Sequence, residues 1–111
     1  MAKHEFGVME SPPEPARLYV TYEPERYRCL SVDDRYIEPL LPRLADMPTC
    51  FHGLDQPAHG LAYTGITLIP PASLPKLLRV LTEEKDDAYR ELMRLVRSAE
   101  AQGRYIIHFG I

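Results

Sequence analysis

Cys50, His52, Asp55 and His59 fall within one ten-residue stretch, and each can ligate a metal or move a proton. Two imidazoles and a carboxylate form a ligand set that zinc uses in catalytic sites. Cys50 and His52 are two apart, so on a strand they share one face. Asp55 and His59 follow in a segment with two glycines and a proline, which reads as a loop. His108, near the carboxyl end, offers one more imidazole. The paired cysteine and histidine spacings of zinc modules are missing. No cofactor is therefore expected, and zinc on Cys50, His52, Asp55 and His59 is the alternative.

The same groups could do acid–base work without a metal. Histidine titrates near neutral pH, and a carboxylate can hold its tautomer. His52, Asp55, His59 and His108 are the candidate catalytic set. A thiol–imidazole pair, Cys50 or Cys29 with His108 or His59, is the covalent version. Asp33 and Asp34, with Glu38 close by, could bind a divalent cation, but residues of this type before a helix cap its amino end. Arg90, Arg94 and Arg97 share a helical face, where Asp86, Asp87, Glu91 and Glu100 neutralise them. No glycine-rich phosphate loop is present. Tyr19, Tyr22 and Tyr27 cluster early in the chain, and a tyrosine joins an apolar ring to a polar tip, as interfaces require.

These residues must be positioned by a chain with heavy proline punctuation, eleven in 111 residues. Four prolines mark residues 1–26 as an extended arm, with a weak alternation at Leu18, Val20 and Tyr22. Strands are expected at 27–32, 49–52, 61–69 and 104–109. Ile37, Leu40, Leu41 and Leu44 recur at helical spacing, interrupted by Pro39 and Pro42. Leu74, Leu77, Leu78 and Leu81 form a second stripe, with Ser73 as its cap. Asp86 and Asp87 open a third helix, with Ala88, Leu92, Leu95, Val96 and Ala99 inward and Gly103 as its stop.

The fold class expected is α+β, a mixed sheet of four to five strands with about three helices in the order β-α-β-β-α-α-β. Over roughly residues 27–109 this order resembles the ferredoxin-like split βαβ arrangement, with an extra helix before the last strand. The helix between the first two strands implies a parallel crossover. The loop between the second and third implies an antiparallel pair. One domain spans 1–111, with 27–111 as its core and the 1–26 arm packed on it or on a partner.

Thirteen basic against sixteen acidic residues give a net charge of −3, with the acidic excess before Ser73. That balance argues against nucleic acid. No apolar run is long enough for a membrane span, and the first residues lack the apolar core of a signal peptide. Two cysteines fit reduced thiols in the cytoplasm. The reading is a small cytoplasmic, non-catalytic binding or protein-interaction module that self-associates through the arm or a sheet edge. The alternative is a small hydrolase or isomerase built on His52, Asp55, His59 and His108, with or without a metal.

Overall fold

Residues 2–111 are described by a computed structural model, in which six strands form one open sheet. They are β1 (Lys3–Val8), β2 (Leu30–Asp33), β3 (Pro48–Phe51), β4 (Pro57–His59), β5 (Ile66–Ile69) and β6 (Ile106–Phe109). Their order is β2-β1-β6-β5-β3-β4, and every pairing is antiparallel. Three helical units complete an α+β fold. The first is broken, with α1 (Asp34–Ile37), a 3-10 turn (Glu38–Leu40) and α2 (Leu41–Leu44); the others are α3 (Leu74–Glu84) and α4 (Arg90–Gln102).

The breaks follow from proline. Pro39 and Pro42 each sit at the start of a new helical segment, where a missing N–H costs least. Asp33 caps α1 by accepting from the Arg35 N–H at 2.9 Å. Ser73 does not cap α3; its hydroxyl donates to the Pro48 carbonyl instead. Asp86 accepts from the Ala88 N–H at 2.8 Å, opening the turn that leads into α4. Gly103 ends α4 with φ 63°, and the Gly103 and Arg104 N–H groups close on the Glu100 and Ala99 carbonyls.

The expected parallel crossover is not formed. Counting the alternation across the sheet, β2 and β3 do run in the same sense, as a single helical connection between them requires. Three strands separate them, however, so they never pair. The chain between β5 and β6 crosses the sheet twice, through α3 and then α4, which makes those neighbours antiparallel. The antiparallel pairing of the strands around residues 50 and 68 is as expected.

Two strands extend the sheet beyond the expected four to five. β4 is three residues long and lies at the edge, where Pro57 is tolerated. The larger correction concerns the amino-terminal arm. Its Lys3–Val8 segment is β1, which pairs with both β2 and β6 and stands inside the sheet. The split βαβ order has no place for such a strand between the flanking elements. Leu18–Tyr22 is not a strand, and the expected strand over 61–69 is confined to Ile66–Ile69.

Alternation along the strands divides the core in two. Phe6, Val32, Ile69 and Ile106 face the helices and meet Leu77, Leu81, Leu92 and Val96. Ile66, Leu68, Ile107 and Phe109 face the other way. That second face is covered by residues 9–29, which carry Met9 and Tyr19 onto it. A connection of this length without regular structure is uncommon, and such segments often carry function.

Candidate functional site

His52 follows β3 with φ 66°, a left-handed conformation unusual for a residue with a side chain. Its backbone N–H donates to the Ile66 carbonyl at 2.9 Å, and its carbonyl accepts from the Tyr19 N–H. Its ring reaches the same neighbour, with Nδ1 3.0 Å from the Tyr19 carbonyl. A Cβ at Gly65 would lie 2.9 Å from His52 Nε2, so the ring needs a glycine there. His52 thus clasps the 9–29 segment to the sheet.

The other members of the sequence cluster go elsewhere. Asp55 and His59 are exposed. Cys50 is half-buried on the face opposite the helices, and burial pushes its thiol up. Cys29 is also half-buried; burial, and then the charge of Glu5, push its thiol up to about 12. A thiolate is the reactive form, and these surroundings oppose it. Among the described residues, no three His, Cys, Asp or Glu side chains gather as a metal ligand set.

His108 lies on the helix-facing side of β6, apart from the His52 loop. It pairs across the sheet with Phe6 and Thr67 and is fully buried. There it joins a chain of side chains of whose other members only Asp34, as a helix cap or cation ligand, is marked by its sequence context. The Ala62 N–H donates to Thr67 Oγ1 at 2.9 Å, and Thr67 Oγ1 lies 3.2 Å from His108 Nδ1. His108 Nε2 is 2.9 Å from Nδ1 of His4, which is also fully buried. His4 Nε2 is 2.8 Å from Asp34 Oδ1, and the Tyr63 hydroxyl donates to Asp34 Oδ2 at 2.8 Å.

The donor directions follow from the ends of the chain. Thr67 accepts from Ala62, so its own hydrogen is free to point at His108 Nδ1. His108 then donates from Nε2 to His4 Nδ1, and His4 donates from Nε2 to the carboxylate. Every polar atom is satisfied with both imidazoles neutral. Burial, and then the proximity of His4, push His108 down to about 3. The hydrogen bonds from His4 and Tyr63 hold the Asp34 carboxyl below its ordinary range, and the bond to Asp34 raises the Tyr63 hydroxyl.

The Asp34–Tyr63 end of this chain reaches solvent, whereas both imidazoles are fully buried. A proton arriving from outside meets a stabilised carboxylate before either imidazole. The rings stack at 5.1 Å and tie β1 to β6. Tyr63 depends on close packing beneath it, since a Cβ at Gly110 would stand 2.4 Å from the Tyr63 carbonyl oxygen. Gly110→Ala should therefore cost about 1–3 kcal/mol in chemical denaturation, the usual range for overpacking.

The tyrosines singled out from the sequence all touch the second face of the sheet. Tyr19 is buried there, with its hydroxyl accepting from the Glu14 N–H at 3.0 Å. Tyr27 packs at a 6.2 Å centroid distance from Phe109. Tyr22 stands edge-on to Phe109, and its hydroxyl donates to Glu5, which pushes the Tyr22 hydroxyl up to about 12. No family model, curated protein or solved structure matches the chain. No described helix is long and apolar enough to cross a membrane.

Proposed function

We propose that this protein is a small, non-catalytic interaction module whose partner is a second copy of itself. The observation that carries this reading is the exposure of Leu18, Val20 and Tyr22, at 57%, 68% and 58%. Three of the five large apolar side chains most open to solvent lie in this short segment, while Tyr19 between them is buried.

Leu18 and Val20 stand on the opposite side of the chain from the buried Tyr19, as successive residues of an extended segment do. Tyr19 uses its backbone N–H and carbonyl on His52. Among the described residues, the backbone groups of Leu18 and Val20 have no protein partner. An extended segment with one side engaged and the other free can pair with its own image across a two-fold axis. Leu18 and Val20 of each copy would then cover those of the other. The groups that would serve a hydrolase or isomerase are engaged differently: His52 holds the loop, and His108 is sealed behind the sheet. Half-buried free thiols at Cys29 and Cys50 support a reducing, cytoplasmic setting.

Sedimentation over a range of protein concentrations tests the proposal. The expected result is a reversible monomer–dimer equilibrium that Val20→Asp moves to monomer, with the melting temperature unchanged at concentrations where the parent is itself monomeric. A single monomeric species at every concentration would overturn it.

A further inference from the structure

On the helix side of the 9–28 loop lies a cleft of about 560 Å³, a volume in the range of small-molecule sites. Its floor and walls come from the end of β1, the loop, the second half of α4 and Arg104 in the turn before β6. We propose that this cleft binds a small ligand carrying an oxyanion, a phosphate monoester or a carboxylate, gripped by Arg28 and Arg104.

The charge of the lining is the first argument. Arg17, Arg26, Arg28 and Arg104 face two carboxylates, Glu10 and Glu14. The protein as a whole carries −3. A positive concavity in an acidic protein concentrates an anion at one place.

The second argument separates the four guanidiniums. Arg17 bonds Glu14 at 2.8 Å, and Arg26 lies 3.6 Å from Glu23. Each also sits over a tyrosine ring, Arg17 at 4.6 Å from Tyr19 and Arg26 at 5.7 Å from Tyr27. Those two groups are held in place by the protein. Arg28 and Arg104 have no carboxylate within ion-pair distance among the described residues. They retain the full donor fork that matches a carboxylate or phosphate.

One feature of the cleft opposes an anion, namely the carbonyl end of α4. Its Ala99 and Glu100 carbonyls are already taken by the Arg104 and Gly103 N–H groups, and the Arg104 side chain adds positive charge beside them. Apolar surface from Met9, Leu95 and Tyr27 adjoins the arginines. The occupant therefore has an apolar or aromatic body as well as an anionic head.

Calorimetric titration at low salt with phenyl phosphate, benzoate and phenol tests this. The expected result is saturable one-to-one binding of phenyl phosphate or benzoate, none of phenol, and weakening at high salt. The tighter of the two anions names the head group. Arg28→Gln and Arg104→Gln should each weaken that binding by roughly tenfold or more. Arg94→Gln, on α4 and paired with Glu91, should leave it unchanged. Melting curves without ligand establish that the variants fold; if Arg104→Gln does not, the exposed Arg28 carries the test alone. Failure of both anions to saturate, equal binding of phenol, or equal loss in Arg94→Gln would overturn the proposal.

Discussion

Acidifying the protein from about pH 7 to about pH 5 should remove about 2 kcal/mol of folding stability through His108 alone. The ring is fully buried and stays neutral in the fold down to about pH 3. In the unfolded chain the same ring takes a proton near pH 6.5. A base whose folded value is depressed gives stability that is complete above the unfolded value. That stability is lost as the pH falls towards the folded one. The slope in this window is about 1.4 kcal/mol per pH unit. His4 accepts the hydrogen on His108 Nε2, and Thr67 is neutral. Asp34, at the far end of the chain, is held below the ordinary carboxyl range and is lost only in stronger acid. Urea unfolding at a series of pH values measures the slope, and His108→Gln should flatten it. Equal slopes in the two proteins would show that the buried ring is not kept neutral.

Parts of this fold were legible because their signals are local. The leucine stripe of α3, with Leu74, Leu77 and Leu81 buried, lies within one element. So does the stop of α4 at Gly103. The strand at the carboxyl end lies directly after that stop. What was hidden depends on partners distant in the chain. Lys3–Val8 is buried continuously from His4 to Gly7, but His4 counts as polar until it is seen bonded to His108. The prolines that follow make the segment look like part of an arm. Its partners are Leu30–Asp33 and Ile106–Phe109, and nothing local announces them.

The site residues divide the same way. Cys50, His52, Asp55 and His59 are near in sequence, yet a left-handed residue at 52 and an edge strand at 57–59 turn them to different surroundings. His4, Asp34, Tyr63 and His108 are far apart in sequence, and sheet register brings them together. Arg28 and Arg104 come to one cleft only because the 9–29 loop folds back beside α4. That loop covers the second sheet face with Tyr19, exposes Leu18 and Val20, and forms one wall of the cleft. Its lack of regular structure leaves successive side chains free to serve those different purposes.

Phe6→Ala should cost about 3–5 kcal/mol, a large share of the roughly 5–15 kcal/mol that holds a domain of this kind together. Phe6 is fully buried in the middle of β1, its ring 4.8 Å from His108 and packed into the helix-facing core. Removing it opens a cavity where β1, β6 and the helices meet. It also loosens the stacked rings that tie β1 to β6. An accessory arm would behave otherwise, because truncating a side chain there removes little buried surface. Val20→Ala, in the exposed part of the 9–29 loop, supplies that comparison, with an expected change under about 0.5 kcal/mol. Urea unfolding of both variants against the parent decides the matter. A Phe6→Ala loss as small as that of Val20→Ala would mean that β1 can leave the sheet without unfolding the rest. A loss in the cavity range would establish that β1 is part of the core and cannot leave it alone.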